Sequence, residues 1–468
     1  MNYPVWDVPF LGGGLVVAII AIIHILISHL AIGGGAFLFV AEFWAKKQSN
    51  GNLIREWLHR YTKYFLIYTT IFGAITGVGI WFSIQLANPE ATSLLIHQFV
   101  FVWATEWVMF LGELTVLYLY FYGWGKNSQN MQILLAGAYF VIAWFSLFLI
   151  NGILTFMLTP GGWSLTDTDI AAGFFNPGFL PSLFIRTLVM FILGGIFGII
   201  VATRVKENGE FRKKIIYFCA KWVIPAAIII PFLLLWFWTT LPDNAVTLVK
   251  GGTVGVAGGK LEAVTRYFWL AIISGGLILI SVIVAVIRPQ AISTGGAIAI
   301  FLIAQFGIMG GEFFREMSRK PFVIYDTLYS NGLWKKNTAD ENYMKSSYLE
   351  KARWDTPVEP LSLHHGETIF RLQCVGCHTR DGYRSINTRT ADWSGEFGYR
   401  WLSTMHETGV MPPFQGSDED RAALSAYLIS AHDKTTTARE ILDSARKEET
   451  KDTLSVPAVP AENNGGAK

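Results

Sequence analysis

Residues 10–43 read FLGGGLVVAIIAIIHILISHLAIGGGAFLFVAEF, one apolar run that carries two histidines, His24 and His29. A helix needs about 20 such residues to cross the hydrocarbon core of a bilayer. This run is sufficient, with length left over to tilt or to extend beyond the lipid. Seven further runs of spanning length follow, at roughly 64–87, 95–122, 131–158, 180–203, 215–240, 265–287 and 293–316. The first two thirds of the chain are therefore expected to form a membrane bundle of about eight helices.

The composition agrees. Of 468 residues, 52% are hydrophobic and 15% charged, where soluble chains carry about 25% charged residues. The apolar runs fill the first two thirds and the last third is polar, the pattern of a membrane body followed by a soluble domain. A net charge of +2 points to no nucleic-acid partner. Three cysteines make no disulfide framework. Cys219 lies in an apolar run and reads as a small buried hydrophobe; the other two share one motif. The expected division is a membrane domain over 1–322, a polar linker over 323–360, a soluble domain over 361–432 and a disordered tail over 433–468.

Orientation follows from the basic residues between spans. Lys46, Lys47, Arg55, Arg60 and Lys63 follow the first span, Arg204, Lys206, Arg212, Lys213 and Lys214 the fifth, and Arg288 the seventh. The alternate connections are poor in such charges: 88–94 has none, 159–179 only acids, and the short, flexible, glycine-rich stretch 241–264 has Lys250 and Lys260. The basic connections should be cytoplasmic, with both termini outside. No basic region or small-residue cleavage site marks a removable signal peptide.

Cys374-Val375-Gly376-Cys377-His378 is the C-x-x-C-H pattern of covalent haem attachment. Two thiols add to the haem vinyl groups and the adjacent His378 reaches the iron from one face. A redox or zinc C-x-x-C is the other reading, but no second cysteine pair completes a zinc site. Met411, in Gly409-Val410-Met411-Pro412-Pro413-Phe414, is the candidate for the second axial ligand, with Met405 and His406 as competitors. A methionine there raises the haem potential. Leu363–Cys374 and Asp418–Ser430 read as the first and last helices of a small class I cytochrome c, the latter with an acidic first turn. C-type haem is attached on the outer side of the bacterial membrane, which agrees with the charge-derived topology.

Ionisable residues inside spans are expensive and so are candidates for function. His24 and His29 are five apart and face about 140° apart on a helix; each can instead be a hydrogen-bonded structural histidine. Glu106 and Glu113 are seven apart on one face of the third span. Met309, Glu312 and Glu316 share a face of the eighth, with Arg315 and Arg319 beside them. Ordinary readings stand alongside: Glu106 and Glu113 as interhelical bonds, Glu316 and Arg319 as an interfacial ion pair, Arg186 as a snorkelling side chain, and Trp236-Phe237-Trp238 as an interfacial belt.

With these residues in view, 1–322 resembles subunit I of cytochrome bd-type terminal oxidases. His24-Ile-Leu-Ile-Ser-His-Leu-Ala-Ile-Gly33 looks like that family's first span, and His24 falls on its active-site haem ligand. Glu106 to Glu113, running to Phe121-Tyr122-Gly123-Trp124, is similar to the span with the family's two acidic residues, with one residue less between them. Asn151-Gly152 matches another family position, and Glu316-Met-Ser-Arg319-Lys320-Pro321-Phe322 is a divergent form of the Gly-Arg-Gln-Pro-Trp signature. The departures are coherent. The low-spin haem histidine falls on Arg186 and its methionine partner on Ile273. The quinol-binding loop is reduced to 241–264. The glutamate ligand of the second high-spin haem falls on Met309, with Glu312 one turn later. The ninth span is replaced by the cytochrome c domain.

The fold expected is thus all-α, a polytopic membrane bundle with a C-terminal class I cytochrome c domain, of the cytochrome-c-fused, non-quinol branch of the bd superfamily. The resemblance implies a respiratory oxidoreductase of the bacterial inner membrane. It would use covalent haem c and one or two b- or d-type haems, with electrons from an external donor such as a cytochrome c reducing O2 or another small oxidant. His24 would hold one iron, Met309 or Glu312 another. Glu106 and Glu113 would relay protons, Arg315 and Arg319 would pair with haem propionates, and a second bd-type membrane subunit is implied. A quinol-to-cytochrome c module and a haem-based gas-binding subunit are the alternatives.

Overall fold

The computed structural model describes residues 5–166, 168–205, 209–351 and 358–455. Lys206, one of the basic residues used for orientation, and residues 456–468 at the end of the expected tail lie outside them.

Eight helices are long and apolar enough to cross a membrane. In chain order the helices are α1 (Gly13–Lys46), α2 (Gly51–Ile67), running through a π turn at Tyr68–Phe72 into α3 (Gly73–Ala87), α4 (Pro89–Gln98), α5 (Val100–Tyr122), α6 (Gln129–Phe156), α7 (Ile170–Phe174), α8 (Phe179–Ala202), α9 (Gly209–Trp238), α10 (Asp243–Val249), α11 (Glu262–Ile287) and α12 (Thr294–Ser318). A two-stranded antiparallel hairpin, β1 (Phe322–Ile324) and β2 (Leu328–Tyr329), follows. Then come α13 (Glu341–Lys345), α14 (Leu363–Gln373), α15 (Ile386–Arg389), α16 (Gly395–Thr404), α17 (Asp418–Ile429) and α18 (Ala438–Ser455).

Three span starts differ from those expected. The second span begins at Gly51, so Arg55, Arg60 and Lys63 lie on a helix and not in a connection. The third begins at Val100, after the separate α4, which Asn88 caps by accepting the Ala91 N–H. The sixth begins at Gly209, so Arg212, Lys213 and Lys214 lie on α9. The early starts arise because helix continues into polar sequence, where hydropathy gives no boundary; the late one arises because Phe99, at φ −121° and ψ 30°, breaks the helix between α4 and α5.

The helical unit comprises Gly13–Lys335 together with Glu407–Pro412. At its centre α1 crosses α8 so closely that side chains would collide: a Cβ on Gly33 would sit 1.9 Å from the Met190 carbonyl oxygen. Such small residues let helix backbones approach where lipid offers no hydrophobic drive to pack. Leu30, Phe37, Phe65, Leu193 and Cys219 are fully enclosed there, Cys219 as the small hydrophobe expected. The stretch 241–264 holds α10 and a bridge between Val254 and Gly259, so it carries regular structure and is not a plain flexible loop.

The other unit comprises Met1–Gly12, Lys336–His406 and Pro413–Lys468. Residues 5–12, expected with the membrane domain, fall in this unit: the Phe10 carbonyl accepts the Tyr383 N–H at 2.6 Å, and Val5 packs on the soluble core. That core contains Ile369, Phe370, Leu402, Leu424 and Leu428. The tail expected to be disordered from 433 holds helix α18, which buries Ala438, Ile441 and Leu442 against Tyr399, Ala422 and Ala426. Its low average hydropathy hides this narrow apolar stripe, which only a partner surface can stabilise.

Candidate functional site

Helix α14 starts at Ser362, whose hydroxyl accepts the His365 N–H, and ends at Cys374. The chain then turns tightly, with the N–H groups of Cys377 and His378 donating to the Cys374 carbonyl at 3.0 and 2.9 Å. Three residues of the motif are thereby gathered on one turn. His378 Nδ1 lies 3.1 Å from the Arg384 carbonyl, which can only accept. The proton must be on Nδ1, so Nε2 keeps its lone pair for a metal. Burial pushes the imidazole down to about 4, which keeps it neutral, the form an iron ligand needs. Burial, and then the neighbouring Cys377, pushes the Cys374 thiol up to about 12. Two thiols and one prepared imidazole therefore fit covalent haem.

Gln373 and Gln415 exchange bonds, Gln373 Nε2 donating to the Gln415 carbonyl at 2.7 Å and the Gln415 N–H to Gln373 Oε1 at 3.2 Å. Asp420, fully buried at the start of α17, accepts from His365 Nε2 at 2.7 Å and the Tyr348 N–H at 2.8 Å, and forms a capping box with Ser417. These bonds brace the segment after Met411. Of the candidate ligands, Met411 is half-buried, Met405 packs against the soluble core and His406 is exposed.

In the helical unit, His24 Nδ1 lies 2.9 Å from the Thr76 hydroxyl. That hydroxyl donates its single proton to the Phe72 carbonyl at 2.6 Å, so it accepts from His24. His24 is thus held with Nε2 as the acceptor, the form that binds iron. Gly77 leaves room beside the ring: a Cβ there would approach His24 Cε1 to 3.3 Å. His29 Nδ1 bonds the Ile25 carbonyl at 2.8 Å, and the side chain is buried among helices. Thr76 is a site residue that sequence reading missed; a hydroxyl inside an apolar run is the signal that was available.

Glu106 accepts from Ser146 of α6 at 3.2 Å. Glu106 and Glu113 lie on one half-buried face of α5, as their spacing predicts. Ser146 was also missed.

Arg186 does not snorkel. It is buried, its Nη2 donating to Glu312 Oε1 at 2.9 Å and its Nε to Ser182 at 3.3 Å. Ser182 in turn donates to Asn151 at 2.8 Å. Arg315 Nε takes the other oxygen of Glu312 at 3.0 Å. Both oxygens of Glu312 are therefore held by guanidiniums. Met309 packs beside Phe313 and Phe314, so of these two candidate ligands only Met309 keeps its donor atom outside an ion pair. Ile273 is 57% exposed on α11. Arg186 and Ile273 thus do not fit a His/Met-held haem. Arg319 bonds Glu316 and the Val323 carbonyl, and Glu316 also accepts from Lys320 at 3.2 Å. The buried Arg319 Nε has no partner among the described residues. An orphaned cationic N–H fits a carboxylate, such as a haem propionate.

These features define an integral membrane helical bundle fused to a c-type haem domain. Residues 15–237 match the family model of cytochrome bd terminal oxidase subunit I, and residues 362–428 that of cytochrome c oxidase, cbb3-type, subunit III. The two together mark a haem-dependent membrane oxidoreductase of respiratory type. The structure of bd oxidase from Geobacillus thermodenitrificans is similar to it, with a TM-score of 0.56 at 15% identity, over 68% of this chain and 90% of that one. At that identity the likeness is one of fold. No curated protein matches the sequence.

Proposed function

We propose that the chain takes electrons from an external donor at the C-terminal domain and reduces O2, or another small oxidant, in the helical bundle. Bound haem would supply one-electron transfer at the first site and oxidant reduction at the second. Cys374 and Cys377 would hold one haem through thioethers, and His378, through Nε2, and Met411 would bind its iron. His24 presents Nε2 to a second iron in the bundle. Met309 is available to another. Glu106 and Glu113, with Ser146 of α6, hold and pass protons toward that site, and Arg319 would pair with a propionate.

The observation that carries this reading is the paired state of the two histidines. His24 and His378 each have Nδ1–H engaged by an oxygen, so each offers the iron-binding nitrogen. Arg186, tied to Glu312, and the outward Ile273 support electron entry through the c domain in place of a quinol-side haem.

The reading places the protein in the bacterial inner membrane. The basic residues at 46–63 and 204–214 lie on the cytoplasmic side and both termini on the periplasmic side. A second membrane subunit fits α5. This is the least buried of the eight spans, yet it carries both carboxylates, and a partner over it would remove them from lipid.

The test compares haem extraction, CO binding and oxygen uptake from a reduced donor in the native chain and in His24→Ala. His24→Ala should lose the CO-reactive haem and oxygen uptake while the covalent haem stays reducible. Unchanged CO binding would remove His24 as the ligand. A native chain with no CO-reactive haem would overturn the oxidase reading.

A further inference from the structure

We propose that the glycine-rich segment 250–260 is a clamp for Glu407–Val410, and that it fixes the position of Met411. The ligand part of the inference rests on the reading of Met411 as the axial ligand; the clamp itself does not.

The glycine segment and Glu407–Pro412 belong to one compact unit and meet backbone to backbone. The Ala257 N–H donates to the Glu407 carbonyl at 2.9 Å. A Cβ on Gly255 would lie 2.2 Å from the Glu407 carbonyl oxygen, and one on Gly259 would lie 1.9 Å from that of Thr408. From the other side, a Cβ on Gly409 would lie 2.8 Å from the Gly255 nitrogen. No side chain larger than hydrogen fits at any of the three positions without moving the facing backbone. Gly255 and Gly409 also hold φ of +76° and +68°, the left-handed region.

Both sides are anchored. The bridge between Val254 and Gly259 closes the segment into a tight hairpin. Thr265 ties its base by donating to the Leu248 and Val249 carbonyls at 3.3 and 3.1 Å. Val410 packs into the apolar cluster of Leu248, Val254 and Phe314. Met411 follows Val410 directly, and its N–H reaches the Thr408 hydroxyl at 3.3 Å. The hairpin therefore grips the residues immediately before the candidate ligand. A methionine ligand raises the haem potential, and its loss lowers it.

Gly259→Ala is the cleanest perturbation, because its φ lies outside the left-handed region and the methyl acts only by collision. In the full chain with covalent haem, amide exchange in 250–260 and 405–412 should rise about tenfold, the factor given by about 1.4 kcal/mol. The methionine–iron charge-transfer band should weaken and the c-haem potential should fall, with covalent haem staining unchanged. Val410→Ala, which removes the apolar anchor without adding bulk, should raise exchange in the same segments. Gly162→Ala is the control: its φ lies outside the left-handed region and nothing lies within 4 Å, so both readouts should stay native. Native exchange at 405–412 in Gly259→Ala and Val410→Ala would overturn the clamp, as would an equal loss in Gly162→Ala. Raised exchange with a native band and potential would overturn its role in placing the ligand. A Met411→Ala chain with a native spectrum would overturn the ligand reading alone and leave the exchange result standing.

Discussion

Glu312→Gln isolates the charge cluster inside the bundle. Glu312 accepts from Arg186 at 2.9 Å and from Arg315 at 3.0 Å, with the three side chains between 10% and 17% exposed. Replacing the carboxylate with an amide leaves two guanidiniums facing a neutral group. A charge pair at 4 Å with an effective dielectric constant of about 20 amounts to roughly 4 kcal/mol, and removing one partner of a buried pair costs about 3–5 kcal/mol. For a unit of this size, that corresponds to a fall in unfolding temperature of about 5–10 °C. Cys219, wholly buried and outside the haem motif, is the reporter: a thiol-reactive dye follows its exposure on heating in detergent. Arg186→Gln combined with Glu312→Gln should restore part of the loss, because it removes one stranded charge along with the carboxylate. A Glu312→Gln chain that unfolds at the native temperature would refute the cluster as a structural element. If its bundle haem spectrum changed at unchanged stability, Glu312 would be an iron ligand after all.

Other expectations follow from single contacts. Cys374→Ala or Cys377→Ala should abolish or severely weaken covalent haem staining on a denaturing gel, because each removes one of two thioethers. Asp420→Ala should destabilise the cytochrome c unit by about 3 kcal/mol, since it leaves the buried Tyr348 N–H and His365 without their acceptor and removes a cap; a haem-band melting curve measures it. Gly33→Val should abolish folded protein in detergent chromatography, because its Cβ alone would meet the Met190 carbonyl oxygen at 1.9 Å. Reporters fused at 210 and 340 should read cytoplasmic and periplasmic; a cytoplasmic signal at 340 would refute the span count.

Much of the candidate site was legible because its signals are local. The attachment motif is five consecutive residues, and its preceding helix is announced by Ser362 and a short apolar stripe. His24, Glu106 and Glu113 stood out because ionisable groups inside apolar runs are rare. Arg186 was misread as a snorkelling side chain because its partner lies 126 residues away on α12. Glu42 escaped notice near the end of the first span, where it lies buried with Arg55 at 3.2 Å and the Tyr120 hydroxyl at 3.1 Å. Helix α18 was read as tail because its polar residues outweigh Ala438, Ile441 and Leu442, which it buries.

The sequence alone determined the eight spans, the haem attachment turn and the first and last helices of the cytochrome c unit. These depend on run length, spacing and capping, which are set within one segment of chain. Only the tertiary structure decided that Arg186 faces Glu312, that Thr76 and Ser146 orient His24 and Glu106, and that 250–260 holds the segment before Met411. Each of these joins residues far apart in the chain. Hydropathy says that a group is buried, but the approach of one backbone to another chooses its partner.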